Sequence, residues 1–352
     1  MLRYSFNSGR GGYKSSVDAA GRIFEARQRI GGLINCSPEN IAFMPNCTYA
    51  LNTAIKGVAE KGSHIIISNL EHNSVARPVY ALEKQSIAEY SIAQYSFDKE
   101  GTIENFRNQI RENTRAIVCM HASNVFGCVF PIKEIGEICR QNGIIFIVDA
   151  AQSAGVLDID MKRDNIDILC APGHKGLYGP MGTGFIALAD GVKLNTLAQG
   201  GTGSRSVDFD QPEFMPDRLE AGTLNNIGII GLSAGVDFVQ SRGVGAIFTH
   251  ELELCNYIYS KLKTNPEITL CTPAPDEFFS APIISFNYGD YSSEKTAALL
   301  ADRGIAVRAG LHCSPLAHTA FNTLDRGTVR VSPSVFNTRK DCEKLIFYLK
   351  NL

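Results

Sequence analysis

Two polar residues stand where buried strands give out. An apolar run beginning at residue 145 ends in Asp149, followed by Ala150, Ala151 and Gln152, and a second ends at Cys170, followed by Ala171, Pro172, Gly173, His174 and Lys175. Open α/β sheets bind ligands at the carboxyl ends of their strands, so an amine and a carboxylate delivered there mark where a cofactor would sit. On these two residues alone a structural ion pair is the other reading. Ten cysteines, at positions 36, 47, 119, 128, 139, 170, 255, 271, 313 and 342, add possible nucleophiles. None forms a C-x-x-C pair or a tight Cys/His cluster, so no zinc or other metal site and no thioredoxin motif is expected.

The elements that must position these residues are short apolar runs separated by stretches of helical period. HIIIS (64–68), AIVCM (116–120), IIFIV (144–148), IDILC (166–170) and TGFIAL (183–188) have the continuous apolarity of strands covered on both faces. Between the second and third lies PIKEIGEICRQNG (131–143). Pro131 suits a first helical turn, Ile132, Ile135, Ile138 and Cys139 share a face, and Gly143 suits the position just past the end. Strand, helix, strand is a crossover unit, and repeats of it give an α/β fold with a mostly parallel central sheet. After about residue 240 the pattern changes. Residues 280–288, 305–308 and 328–332 read as strands, and 292–303 as a helix closed by Gly304. A last helix starts near Thr338, with Asp341 as capping-box partner and Cys342, Leu345, Ile346 and Leu349 as its stripe. The expected organisation is a large domain, 1–240, and a smaller α+β domain, 241–352.

Composition bounds the function. The 352 residues are 44% apolar and 20% charged, without a tryptophan, which is ordinary globular usage. A formal charge of −2 gives no electrostatic reason to bind nucleic acid or an anionic membrane. MLRYSFNSGRGGYKSS lacks the apolar core of a signal peptide, and no apolar run approaches a bilayer span. Ten thiols without a disulfide pattern fit a reducing compartment, so the expected location is cytoplasmic.

The motifs around these residues add a resemblance. GHKGLYGPMGTG (173–184) resembles the lysine motif, and VDAAQ (148–152) the aspartate motif, of pyridoxal 5′-phosphate enzymes of the class V aminotransferase group. The resemblance implies the fold type I architecture of those transferases. It implies a Schiff base on Lys175, a pyridine nitrogen held by Asp149, and His174 among the cofactor contacts. FMPNCTYALN (43–52) resembles the phosphate-binding turn and helix start, which points to Cys47 and Thr48. EHNSVARP (71–78) resembles the segment whose first histidine, here His72, stacks on the ring and takes part in catalysis. ASNVFG (122–127) is similar to the segment that places Asn124 near the phenolic oxygen and the substrate, with Gln152 as a second donor. RLEAGTLN (218–225) resembles the motif whose threonine, here Thr223, reaches the phosphate of a neighbouring subunit, which implies a homodimer.

The C-terminal motifs separate reaction types. GIAVRAGLHCSP (304–315) resembles the short-loop catalytic-cysteine segment of cysteine desulfurases and selenocysteine lyases, and RVSPSVFNT (330–338) the segment whose arginine grips the substrate carboxylate. The implied roles are Cys313 as nucleophile, Arg330 as clamp and Arg308 as a second contact, with His312 or Arg308 assisting the thiolate. The implied reaction converts L-cysteine to L-alanine with a persulfide on Cys313, passed to a sulfur-acceptor protein for iron–sulfur cluster or thio-cofactor assembly. The alternatives are selenocysteine lyase, aminotransfer that does not use Cys313, and a non-enzymatic cofactor-binding assembly partner. Three departures accompany the match. Family members usually carry a YLDNAAT-like arm ahead of the part that SGRGGYKSS resembles, and it is expected to be missing here; Pro172 stands where many desulfurases have Ser, and Leu311 replaces the first His of GHHC.

Overall fold

The computed structural model describes residues 6, 8, 11–278 and 280–352. Much of the N-terminal stretch read above, residues 1–5, 7, 9 and 10, lies outside the described residues, as does residue 279. The chain forms two units. The first holds residues 1–68, 74–121 and 131–242, and the second holds 69–73, 122–130 and 243–352.

The first unit is α/β. Its elements in order are α1 (Lys14–Ile34), β1 (Ile41–Met44), α2 (Cys47–Val58), β2 (Ser63–Ser68), α3 (Asn73–Lys84), β3 (Ala88–Ala93), α4 (Lys99–Arg107), β4 (Thr114–Met120), α5 (Ile132–Asn142), β5 (Ile145–Asp149), β6 (Ile168–Pro172), β7 (Gly184–Leu188) and α6 (Asn226–Arg242). The seven strands form one sheet in the order β1-β7-β6-β5-β4-β2-β3. Neighbours from β6 to β3 run parallel, whereas β7 is antiparallel to both β6 and β1. The buried strands carry unbroken apolar runs because helices cover them: α2 packs on β5, β6 and β7, and α5 on β4 and β5. Gly143, at φ 64°, ends α5 in the left-handed conformation that glycine adopts without penalty. Pro131 sits one position earlier than expected, as the N-cap of α5.

Register decides where the site lies. Met44 pairs with Gly184, Gly184 with Pro172, Cys170 with Asp149, and Asp149 with Met120. One edge of the sheet therefore gathers the segments that follow β1, β5 and β6 and the one that precedes β7.

The second unit comprises α7 (Val244–Leu262), β8 (Ile268–Leu270), β9 (Ile284–Tyr288), α8 (Ser293–Ala301), α9 (Pro315–Ala320), β10 (Val329–Val331) and α10 (Arg339–Leu349). Its antiparallel sheet, β10-β9-β8, packs Ile284, Phe286 and Val329 against Leu254, Ile258, Leu300 and Leu345 of the helices. The capping box of α10 is present, with Thr338 and Asp341 bonding reciprocally. The strand expected at 305–308 is reduced to a single bridge, Arg308 to Arg330.

Two buried histidines in the first unit tie stability to pH. The His64 ring bonds Thr114 Oγ1 and Ser91 Oγ, each at 2.9 Å, and burial followed by the charge of Arg111 pushes its pKa down to about 4. Burial, against the pull of Asp164, does the same for His121. A histidine whose folded pKa is depressed stabilises the protein fully above its unfolded value of about 6.5 and loses that contribution as pH falls through the folded value. Urea midpoints should therefore hold above pH 7 and fall steadily between pH 6.5 and 4, with these two histidines contributing about two of the protons taken up on unfolding near pH 5. A flat profile over that window would refute the assignment.

Candidate active site

In the first unit the segment after β5 and the start of α2 meet at one carboxylate. Asp149 is buried, and its Oδ1 accepts the Ala151 N–H at 2.8 Å and the Cys47 thiol at 3.5 Å. Oδ2 accepts no hydrogen bond within the described residues, which leaves one oxygen for a protonated ring nitrogen. Cys47 opens α2, whose N-cap Asn46 accepts the Tyr49 amide with its side chain and the Ala50 amide with its carbonyl. The Cys47 and Thr48 amides precede the first intrahelical bond, so they remain donors for an anion. Thr48 Oγ1 pairs with Ser74 Oγ at 2.8 Å. Burial, then the carboxylate of Asp149, pushes the Cys47 thiol well above its ordinary pKa, so it stays protonated and donates.

Lys175 sits on a tight turn. Gly179 N bonds Gly173 O at 2.7 Å, Tyr178 N bonds Lys175 O at 2.9 Å, and Gly173 N bonds Thr183 O at 2.9 Å. His174 and Lys175 are exposed, and burial with the Lys175 charge lowers the His174 pKa, which favours a neutral ring. Gln152 is half-buried on the segment after β5. These two segments touch through bare backbone. A Cβ at Gly155, where φ is 85°, would lie 2.3 Å from Gly176 O, and one at Gly176 would lie 2.6 Å from Ala154 O. Gly155→Ala should therefore displace the Lys175 turn, lowering stability by about 2 kcal/mol or more and weakening cofactor retention. Thermal melting and the absorbance of the lysine-bound cofactor read both effects, and a variant unchanged in each would count against the close approach. An amine, a carboxylate with one open oxygen and helix-start amides fit the amine, ring-nitrogen and anion contacts that pyridoxal phosphate requires.

Thr223 lies elsewhere in this unit. It is exposed and lines a cavity of about 260 Å³ with Arg27, Pro216 and Glu220. The pair beside it was not foreseen. Arg27 donates to Glu220 through two nitrogens, each at 2.8 Å, and to Ile41 O at 2.7 Å, while Glu220 Oε1 accepts the Phe43 N–H at 2.6 Å. Both side chains are buried. Burial drives the Glu220 pKa up against the pull of Arg27. The signal was present: Arg27 falls at helical spacing among Ala19, Ile23, Ala26, Ile30 and Ile34, and a charge on an apolar face implies a partner.

The second unit holds His72, Asn124, Arg308, His312, Cys313 and Arg330. His72 is half-buried. Cys313 is exposed, and Arg308 Nη2 points at its Sγ from 3.9 Å, a charged donor that a thiolate can accept. Its carbonyl accepts the Asn73 N–H at 2.8 Å. His312, expected as an alternative helper, is buried. Its Nε2 donates to Thr328 O at 3.0 Å, and burial followed by the charge of Arg330 holds its pKa at about 4. It is therefore neutral near pH 7, and Arg308 is the positive neighbour. Arg330 Nη1 donates to Asn124 O at 2.7 Å, while its buried Nε has no partner among the described residues, as a guanidinium awaiting a carboxylate would. Burial and the Arg308 charge lower its pKa to about 10, and it remains a cation at neutral pH. Both arginines line a cavity of about 530 Å³ with Val307, Val331, Ser332 and Cys342.

Comparison with known proteins places this geometry. A model of the family described as aminotransferase class-V matches residues 1–345. A probable cysteine desulfurase of Methanothermobacter thermautotrophicus is 33% identical over 352 residues, covering 97% of this chain and 86% of that protein. A cysteine desulfurase of Escherichia coli is 29% identical over 353 residues, covering 97% and 85%. The apo structure of a cysteine desulfurase from Thermococcus onnurineus superposes with a TM-score of 0.91 at 29% identity, covering 99% of this chain and 88% of that one.

Proposed function

The chain belongs to the aminotransferase class-V family, and on that premise we propose that it is a pyridoxal phosphate-dependent cysteine desulfurase, converting L-cysteine to L-alanine and retaining the sulfur on Cys313. The observation that carries the reading is an exposed cysteine 3.9 Å from the Arg308 guanidinium, with Arg330 presenting an unpartnered Nε.

When bound, pyridoxal phosphate supplies an aldehyde for an amine and an electron-withdrawing ring that weakens bonds around an attached amino acid's α-carbon. Lys175 contributes that amine and afterwards carries the substrate's α-proton. Asp149 would keep the ring nitrogen protonated, the Cys47 and Thr48 amides would hold the phosphate, and His72 would supply an aromatic face. Asn124, Gln152 and His174 complete the polar contacts. Arg330 orients the substrate carboxylate, with Arg308 as a second contact. Cys313 Sγ attacks the substrate sulfur as a thiolate: an S–S bond forms, the Cβ–S bond breaks, and a proton delivered to carbon completes alanine.

Thr223 serves the phosphate of a second copy in a homodimer. Exposed Met181, Val207 and Phe209 in the first unit support a covered apolar face. A sulfur-acceptor protein then takes the persulfide sulfur for iron–sulfur cluster or thio-cofactor assembly. Ten free cysteines support a reducing cytoplasm, and no helix among the described residues is long and apolar enough to cross a membrane.

The test is to incubate the cofactor-loaded protein with L-cysteine, quantify alanine, and look by mass spectrometry for one added sulfur on the peptide containing Cys313. Both are expected, and absence of alanine overturns the reading.

A further inference from the structure

The backbone at the nucleophile is unusual. His312 and Cys313 are consecutive non-glycine residues in the left-handed region, at φ 50° and 59°. Side chains disfavour that conformation, so it persists only where surrounding contacts over-determine it. The Asn73 amide holds Cys313 O at 2.8 Å, and the side-chain contacts on either side of Cys313 come from Asn124. Asn124 Nδ2 donates to His312 O at 2.9 Å, and Asn124 Oδ1 accepts the Ser314 hydroxyl at 2.7 Å. The amide thus grips the chain immediately before and immediately after Cys313. Its orientation is unambiguous, because a carbonyl can only accept and Nδ2 must therefore face His312 O.

Ser314 supplies an independent sign. It is the N-cap of α9, where a serine normally accepts from the helix's own first-turn amides, yet it makes no such bond. The hydroxyl, fully buried, is turned to Asn124 instead. The backbone end of Asn124 is engaged as well, its carbonyl taking the Arg330 Nη1 hydrogen at 2.7 Å.

We infer that Asn124, with Ser314, is a positioning clamp: it fixes the left-handed turn that presents Cys313 and ties that turn to the arginine assigned to the substrate carboxylate. This is a role for Asn124 beyond cofactor or substrate contact, and it rests on the reading of Cys313 as the nucleophile. The connection runs through three hydrogen bonds within the second unit, so a carboxylate held by Arg330 and the thiolate of Cys313 share one rigid reference.

Two variants of the full-length, cofactor-loaded protein test it. Ser314→Ala removes the hydroxyl without touching Asn124 Nδ2. Asn124→Asp keeps the acceptor for Ser314 but sets an oxygen against the His312 carbonyl. Amide hydrogen exchange across residues 311–314 should rise by about five- to tenfold in each, the loss of one net hydrogen bond. In Ser314→Ala, kcat for L-cysteine should fall by a similar factor with KM nearly unchanged, since Arg330 is intact. The exchange measurement needs no turnover, so it reads the clamp even if the wild type makes no alanine. Exchange at 311–314 unchanged in both variants overturns the proposal. So does a Ser314→Ala effect confined to KM.

Discussion

Replacing Cys313 by alanine should leave the fold intact and cut alanine formation from L-cysteine by on the order of a thousandfold. No other thiol can take over. Seven of the remaining cysteines are buried and two are half-buried. Burial, with Asp190 nearby, pushes the Cys36 thiol up to about 11, and burial raises Cys271 to about 11 as well, so neither supplies thiolate near pH 7. The same variant should keep activity on L-selenocysteine if selenium leaves without an enzyme thiol, which separates the two lyase reactions in one preparation. Undiminished alanine formation from L-cysteine would remove Cys313 from the mechanism.

The second large effect concerns stability. Arg27→Ala strands the Glu220 carboxylate in the interior and removes the donor to Ile41 O. Breaking a buried pair from one side costs about 3–5 kcal/mol, because the remaining charge is unpaired. Burial already raises the Glu220 pKa, so the stranded carboxyl should protonate readily and the penalty should shrink as pH falls. Urea unfolding of Arg27→Ala at two pH values measures both statements. A loss below 1 kcal/mol at pH 7.5, or one that grows on acidification, would contradict them.

What could be read from sequence was local. The α5 helix with its Gly143 terminus and the α10 capping box depend on residues a few positions apart, and each appears in the structure. The parallel strands were legible because burial on both faces leaves an unbroken apolar run. β1 was missed, since four residues have too little period to stand out and their partner, β7, lies about 140 residues on. β3 was missed for another reason: it is an edge strand, AEYSIA, with only its ends buried. The strand expected at 305–308 fails because pairing there stops after one bridge.

The same divide runs through the candidate site. Asp149 and Lys175 were visible as strand-end residues, and Arg330 and Cys313 through their motifs. Three features depend on where distant segments meet: the Arg27 to Glu220 pair, the Asn73 amide on Cys313 O, and the Asn124 grip on either side of Cys313. Burial, which spacing does not reveal, decides that His312 is neutral.

The antiparallel placement of β7 has a consequence for the order in which the molecule can be made. β1 lies at one edge of the sheet, and its sole strand neighbour is β7, which ends at Leu188. Chains are synthesised from the N-terminus, so strands β2 to β6 can assemble while β1, and the turn into α2 that carries Cys47 and Thr48, still lacks a partner. The turn proposed to hold the phosphate is encoded among the first fifty residues but is docked among the last of the sheet. On the proposed assignment, a nascent chain has the Lys175 amine before the turn that would hold the phosphate is docked, and cofactor capture should follow the emergence of β7 from the ribosome.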